Sequence, residues 1–175
     1  ATSEQAEPEQ AAPEEPEPEQ LGSYIEMEVA LTTTDGETIN VKGTETGLIF
    51  EGYEDKVIFI EVFAWWCPDC KATISILNDM LAEYGDKLMI IALENDGISN
   101  DEIRTYANTN GVEFKTVAKG NTGALIPYAK NKGGWRGEVP YLVVVDDNTN
   151  IYTSMSGTSE ITYSNLERIL KDLIN

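Results

Sequence analysis

The sequence predicts an α/β domain in which helices flank a mixed β-sheet, preceded by a short acidic segment. Three runs rich in β-branched and aromatic residues, at positions 56–63, 88–93 and 141–145, have the composition of strands buried on both faces. Amphipathic helical patterns follow the first two runs and close the chain, and strands that alternate with helices build layered α/β domains. The 175 residues are enough for one domain with a single substantial core.

The first twenty residues differ sharply in composition from the rest. They hold seven glutamates and four of the seven prolines, with no aromatic or cationic residue. Such a segment cannot bury enough apolar surface to fold, so we expect residues 1–22 to be a disordered, extended linker and residues 23–175 to be the domain. The formal net charge of −19 argues against binding to nucleic acid or to an anionic membrane surface.

The domain should begin with a β-hairpin. Residues 24–31 alternate between apolar and polar side chains, Asp35-Gly36 supplies a turn, and residues 38–41 form the second strand. Residues 43–55 are rich in glycine and acidic residues, and they predict no clear element apart from an apolar patch at 48–50. The first of the three buried strands follows.

The helix after this strand is predicted by a single apolar stripe that ends before Gly85. The stripe has members at spacings of three and four residues: Cys70, Ile74, Leu77, Leu81 and Tyr84. After the second buried strand, Ser99 and Glu102 form a capping box, which predicts a helix that ends near Gly111.

The last third of the chain is predicted to add further strands and helices to the domain. Residues 112–118 predict a short strand and residues 122–132 a helix. After the third buried strand, Asp147-Asn148 turns the chain into an antiparallel strand at 151–155. A closing helix at 163–174 is predicted by apolar residues that would face inward: Leu166, Ile169, Leu170 and Leu173.

The only two cysteines, Cys67 and Cys70, lie where the first buried strand meets the first helix. Two sulfurs at this spacing can close a small disulfide, with Pro68 suited to the first helical turn because it gives up an N–H that would be unpaired there. Cys67 would lie at the helix N-terminus, which favours a thiolate, so we expect it to be the more acidic and more exposed thiol and the attacking nucleophile. Lys71 supports this effect and Asp69 opposes it. Cys70, on the buried side, would be the resolving thiol.

Two other roles for the cysteine pair are open. A zinc site needs further ligands, and the chain has no histidine and no third cysteine. A structural disulfide over so short a loop would restrict the unfolded chain little, and it would not explain Trp65 and Trp66 beside the pair. Redox chemistry is therefore the main hypothesis, and we expect no metal and no cofactor.

The sequence also resembles the thioredoxin fold. The resemblance rests on the cysteine motif after a buried strand and on Glu138-Val139-Pro140 before a late strand. The motif reads Phe63-Ala64-Trp65-Trp66-Cys67-Pro68-Asp69-Cys70-Lys71. The early hairpin and the extra strand and helix at 112–132 resemble the exported, membrane-tethered branch, typified by the ResA and TlpA proteins of cytochrome c maturation. The resemblance covers about residues 24–175, and it implies a thioredoxin fold with an N-terminal β-hairpin and a strand-helix insertion.

This resemblance implies roles for residues around the cysteines. Pro140 matches the cis-proline that faces the active-site disulfide in the family, where its backbone would pair with an extended substrate peptide. Val139 matches the variable specificity position before it. Trp66, Pro68 and Asp69 would complete the substrate-binding surface.

Glu61 lies six residues before Cys67, where thioredoxins place a buried acid behind the second cysteine. Surrounded by apolar strands, such a carboxyl should have a raised pKa and could take the proton from Cys70. The alternative is a glutamate at an edge of the sheet that reaches solvent. Two departures from thioredoxin bear on the proton route: glutamate replaces the shorter aspartate, and residues 88–93 contain no lysine.

The resemblance implies a thiol-disulfide oxidoreductase, mainly a reductase of disulfides in exported proteins such as apocytochrome c, with a disulfide oxidase or isomerase as the alternative. A peroxidase of the peroxiredoxin type is disfavoured, because Ile60 and Ala64 replace the proline and threonine of the Pro-x-x-x-Thr-x-x-Cys motif. A binding module with an inert disulfide is the third reading. It would use as a docking surface the aromatic residues Trp65, Trp66, Trp135 and Tyr141, although Trp65 could equally belong to the core.

The expected partners are protein disulfides or dithiols and a membrane thiol-disulfide reductant or oxidant. We expect a monomer that acts in a periplasm or another extracytoplasmic space and binds no nucleic acid. No apolar run approaches the roughly 20 residues that a spanning helix needs. Because the chain starts inside an acidic, proline-rich segment and not with methionine, we expect contact with a membrane only through an upstream anchor.

Overall fold

The computed structural model describes residues 25–174. The linker predicted at residues 1–22, and the domain start predicted at residue 23, lie outside this range. Within the range, none of the helices combines the length and the apolar character that a bilayer crossing requires.

The N-terminal part of the domain forms a three-stranded antiparallel sheet of β1 (Ile25–Thr32), β2 (Thr38–Thr44) and β3 (Leu48–Phe50). The hairpin predicted from Asp35-Gly36 is confirmed, and Gly36 has a φ of 89°, which costs glycine little. Strand β3 corrects the sequence analysis, which predicts only an apolar patch there. Leu48 and Phe50 enter the core, while the backbone between them pairs with β2.

A five-stranded mixed sheet lies at the centre of the domain. Its strands are β4 (Val57–Phe63), β5 (Leu88–Glu94), β6 (Lys115–Val117), β7 (Tyr141–Val145) and β8 (Ile151–Ser156), in the spatial order β6-β5-β4-β7-β8. Strands β4, β5 and β6 are parallel, whereas β7 is antiparallel to both β4 and β8. The predicted mixed sheet is therefore confirmed, with β4 in its middle.

Within the described residues, five helices accompany the sheets: α1 (Pro68–Tyr84), α2 (Asn100–Asn110), α3 (Leu125–Gly133), α4 (Gly157–Glu160) and α5 (Tyr163–Leu173). The predicted capping box is present, since Ser99 and Glu102 each bind the backbone N–H of the other. Helix α3 begins at Leu125, later than predicted, and Pro127 lies in its first turn, where the absent N–H breaks no helical hydrogen bond. The sequence predicts neither α4 nor the turn of 3-10 helix at Lys119–Asn121, because elements this short carry no apolar period.

The two faces of β4 pack against different layers, because successive side chains of a strand point to opposite sides. The even-numbered residues pack with the N-terminal sheet and α3: Ile58, Ile60 and Val62. The odd-numbered apolar residues pack with α1 and α5: Val57, Phe59 and Phe63. Each such side chain contributes about 1.5–3 kcal/mol when fully buried. Glu61 shares the odd parity, so it faces α1.

Candidate active site

The two cysteines lie where β4 leads into α1. Cys67 is the N-cap of α1, and its sulfur accepts a hydrogen bond from the backbone N–H of Cys70 at 3.1 Å. Pro68 occupies the first helical turn, as predicted. The two sulfurs form a disulfide, and the Cα atoms are 5.2 Å apart. The helix start thus holds both sulfurs at one end of the sheet.

Both cysteines are buried in this oxidised pair, and Cys67 is only slightly the more exposed of the two. Only 3% of Cys67 and 1% of Cys70 is accessible to solvent. The Cys67 sulfur lies 3.7 Å from the carbonyl oxygen of Val139, so the disulfide is covered on the side of the loop before β7.

That loop contains the two residues that the family resemblance singles out. The peptide bond between Val139 and Pro140 is cis, as the resemblance implies; Pro140 is buried and Val139 is half-buried. The Pro140 carbonyl accepts a hydrogen bond from the Gly157 N–H at 3.0 Å, and proline has no N–H of its own. Of the two residues, Val139 is the one whose backbone faces the cysteine pair.

Trp135 and Tyr141 support this loop from inside. Their rings stack with centroids 5.9 Å apart, and both residues are buried. The Trp135 indole N–H donates a hydrogen bond to the Glu138 carbonyl at 2.6 Å. Trp135 and Tyr141 are therefore not available for the docking surface that a binding module would use.

Trp65 and Trp66 are exposed beside the disulfide, with 46% and 55% of their surface accessible. The alternative that Trp65 belongs to the core is therefore wrong. Its indole N–H donates to Asp96 Oδ2 at 2.9 Å. Pro68 and Asp69, which lie between the two cysteines, are also exposed. These four residues form a partly aromatic surface around the site.

Glu94 is a residue that the sequence analysis missed. It ends β5, pairs with Phe63 across the sheet and is fully buried. Its carboxylate accepts backbone hydrogen bonds from the next loop, at 2.7, 2.7 and 3.2 Å, from Asp96, Gly97 and Ile98. The sequence signal was a glutamate directly after an apolar strand and before a glycine. Glu94 thus fixes the loop that holds Trp65.

Glu61 is buried behind Cys70, with 2% of its surface accessible. The alternative of a solvent-reaching glutamate at the sheet edge is therefore wrong. Its Oε1 accepts a hydrogen bond of 2.8 Å from the hydroxyl of Thr73 on α1. Burial raises the pKa of Glu61 to about 7, against a smaller lowering by Thr73. The carboxyl can therefore exist in either protonation state near neutral pH.

A small cavity of about 10 Å³ connects Glu61 with Cys70. Its wall is completed by side chains from β4, α1, α2, the loop after α2 and β6: Phe63, Ile74, Tyr106, Val112, Phe114 and Thr116. No cationic side chain lines this cavity, so Glu61 has no lysine partner there. Across residues 25–174, His, Cys, Asp and Glu side chains form no cluster of three or more that could hold a metal ion.

Comparisons with known proteins give the same fold. No family model matches the sequence. Thioredoxin-T of Drosophila melanogaster is 30% identical over 67 residues, which span 38% of this chain but only 41% of that protein. A thiol:disulfide interchange protein of Chlorobium tepidum TLS superposes with a TM-score of 0.63 at 16% identity, covering 87% of this chain and 97% of its own.

The exposed lipoprotein thioredoxin of Streptococcus pneumoniae strain TIGR4 superposes with a TM-score of 0.64 at 16% identity, covering 84% of this chain and all of its own. The chain therefore has the thioredoxin fold. Its cysteine pair lies at the start of α1, and this geometry supports thiol-disulfide exchange.

Proposed function

We propose that this protein of the thioredoxin fold is an extracytoplasmic thiol-disulfide oxidoreductase that mainly reduces disulfides of exported proteins, with apocytochrome c as one candidate substrate. One observation carries the proposal. The Cys67–Cys70 disulfide closes the start of α1 between the Val139 carbonyl on one side and the buried Glu61 carboxyl on the other. An inert structural disulfide requires neither neighbour.

The reductive cycle starts from the dithiol. The Cys67 thiolate attacks one sulfur of a substrate disulfide, which breaks, and the departing substrate thiolate takes up a proton. Cys67 and the substrate are now joined by a mixed disulfide. The exposed surface of Trp66, Pro68 and Asp69 and the Val139 backbone hold the substrate during this step.

Cys70 completes the cycle. Its thiol passes a proton to ionised Glu61, and the resulting thiolate attacks the Cys67 sulfur. The mixed disulfide breaks, the second substrate thiolate leaves, and two electrons have moved from the cysteine pair to the substrate. A membrane thiol-disulfide reductant then restores the dithiol.

The charges around the pair favour the reducing direction. A strong disulfide oxidant needs a reduced form that is stabilised by a very acidic thiolate. Asp69 beside Cys67, the Glu61 carboxyl behind Cys70 and a net charge of −19 all disfavour additional negative charge on sulfur. We therefore expect a reduction potential near that of thioredoxin, roughly −270 mV, and not near that of DsbA, roughly −120 mV.

The proposed extracytoplasmic location is supported by the composition of residues 1–20 and by the known proteins of similar structure. The acidic, proline-rich residues 1–20 are suited to act as a spacer from a membrane. One neighbour of the same fold is an exposed lipoprotein. An anchor upstream of the spacer would keep the domain close to a membrane redox partner.

Catalysis of insulin reduction by dithiothreitol tests the activity, with Cys67→Ser as the inactive control. Equilibration with glutathione buffers tests the direction. A potential above about −180 mV, the level of protein disulfide isomerase, would favour the oxidase or isomerase alternative. No catalysis by the wild type would favour a binding module that docks through exposed Trp65 and Trp66.

A further inference from the structure

We propose that Tyr106 is a positioning residue for proton transfer: its hydroxyl, with a water in the adjoining cavity, links the Glu61 carboxyl to solvent in the groove outside α2. The inference deepens the proposed function and rests on it, because it concerns the proton that Glu61 takes from Cys70.

Tyr106 lies between the site and the surface. It lies on α2, and its ring stacks on Phe63 with centroids 5.5 Å apart. Phe63 is the last residue of β4, two positions after Glu61. The Tyr106 hydroxyl is buried, and it has no hydrogen-bond partner among residues 25–174. A buried hydroxyl usually has a partner, either a protein group or an ordered water.

Tyr106 borders two spaces at once. On the inner side it lines the cavity of about 10 Å³ with Glu61 and Cys70, a volume on the order of what a single water occupies. On the outer side it lines an open groove of about 480 Å³ with Trp65 and Lys71. Tyr106 is the one residue that these two linings share. It therefore separates the buried carboxyl from solvent.

The electrostatics agree with this placement. Burial and, to a smaller extent, the charge of Glu61 raise the pKa of Tyr106 to about 12. The hydroxyl therefore stays protonated near neutral pH, and it can accept one proton while it donates its own. The other titratable group that lines the cavity is Cys70. The charged side chains that line the groove are Lys71, Asp101 and Glu102.

The proposed reaction leaves a proton on Glu61. Each cycle moves one proton from the Cys70 thiol to Glu61, and re-reduction of the pair returns a proton to Cys70. A route to solvent lets Glu61 ionise again without waiting for that re-reduction. The observed hydrogen bond of Glu61 leads to Thr73, whose hydroxyl otherwise contacts the Cys70 carbonyl, an acceptor that does not titrate. The Tyr106 side leads outward. The cavity water would receive the proton from Glu61 and pass one to the Tyr106 hydroxyl, which releases its own proton to a water molecule in the groove.

Tyr106→Phe tests the link, because it keeps the ring on Phe63 and removes only the hydroxyl. Tyr84→Phe is the matched control, since Tyr84 packs on the same core but lines neither space. Two quantities would be measured: the titration of the Glu61 carboxyl by carbon-13 NMR in the oxidised protein, and the rate of the resolving step by stopped-flow fluorescence.

In Tyr106→Phe we expect the Glu61 titration midpoint to rise by about half a pH unit or more, because the hydroxyl that would orient the bridging water toward the carboxylate is lost. We expect resolution to slow about tenfold at pH 7, with an unchanged first attack by Cys67. An unchanged titration would overturn the proposal, whether or not resolution slows, and so would equal effects in Tyr84→Phe.

The titration needs no turnover, so the two proposals can fail separately. A protein that does not reduce insulin, but in which Tyr106→Phe shifts the Glu61 titration, would retain the link and reject the proposed function. An active protein in which Tyr106→Phe leaves the Glu61 titration unchanged would retain the proposed function and reject the link.

Discussion

The hydroxyl of Thr73 donates a hydrogen bond to Oε1 of Glu61 at 2.8 Å, and both side chains are buried. The same hydroxyl oxygen lies 2.9 Å from the Cys70 carbonyl oxygen. A hydroxyl has one hydrogen, so it can serve only one of these acceptors at a time. Ionised Glu61 receives that hydrogen, whereas protonated Glu61 can donate its own and leave the Thr73 hydrogen to Cys70. The proton on Glu61 therefore determines how the first turn of α1 is hydrogen-bonded.

Thr73→Val should raise the pKa of Glu61 above its value of about 7, because the hydrogen bond from Thr73 lowers that pKa. Valine has nearly the same shape, so packing changes little. Carbon-13 NMR of the labelled carboxyl would measure the midpoint. Thr73→Ser keeps the hydroxyl and should titrate like the wild type; equal midpoints in the valine variant and the wild type would contradict the prediction.

Glu61→Gln should remove a pH dependence of stability. Burial raises the pKa of Glu61 from 4.5 to about 7, so between these values the folded protein holds a proton that the unfolded chain has lost. The free energy of unfolding therefore falls as pH rises through this window, by on the order of 3 kcal/mol in total.

Urea unfolding at pH 4.5, 6 and 8 would measure this effect. Relative to the wild type, the Gln variant should gain stability from the lowest pH to the highest. Groups other than Glu61 titrate in both proteins, so their contributions cancel in the difference. Parallel pH profiles of the two proteins would contradict the prediction.

Cys67→Ser should abolish turnover, because the attacking sulfur is lost. Cys70→Ser should instead accumulate mixed disulfides with substrate, because the resolving sulfur is lost. Non-reducing electrophoresis and mass spectrometry would detect the adducts. A double variant with serine at both positions has no cysteine and is the control for non-specific bands. Adducts on Cys67→Ser as abundant as those on Cys70→Ser would contradict the assignment of Cys67 as the attacking sulfur.

Glu94→Ala should lower the free energy of unfolding by about 2–4 kcal/mol, because it removes the carboxylate that binds three backbone N–H groups. It should also change the fluorescence of Trp65, whose partner Asp96 lies in the loop that is released. Urea unfolding and emission spectra would measure both effects. Asp96→Ala is the control, with the same change in emission and a loss of stability below about 1.5 kcal/mol.

Deletion of residues 1–20 should change neither the melting temperature nor the insulin-reducing activity. The segment lacks the apolar side chains whose burial would offset the entropy of ordering it. Calorimetry and the turbidity assay would measure the two quantities. A fall of several degrees would mean that the segment packs on the domain.

The sequence predicted those elements whose local pattern determines their structure. Strands β4, β5 and β7 are continuous apolar runs, and the start of α1 is marked by Cys67 and Pro68. Glu61 could be placed because it lies six residues before Cys67, where the thioredoxin resemblance implies a buried acid. These features depend on residues that are close in sequence.

The features that the sequence did not predict depend on distant residues. Cys67 is buried against the carbonyl of Val139, which is 72 positions away. Strand β3 has three residues, and the chain before it is held by a bridge between Gly47 and Asn150. The burial of Trp135 likewise depends on its stacking with Tyr141 and not on any local period.

The alternation along β4 also has a consequence for protein engineering. Only odd-numbered residues of this strand face α1, and moving the acid by one position, to residue 60 or 62, would place it under the N-terminal sheet, where it could not reach Cys70. A single-residue insertion between Glu61 and Cys67 would likewise change their relative placement. Anyone transplanting this site into another scaffold must therefore copy the spacing as well as the residues, because a graft one residue out of phase would separate the acid from its thiol.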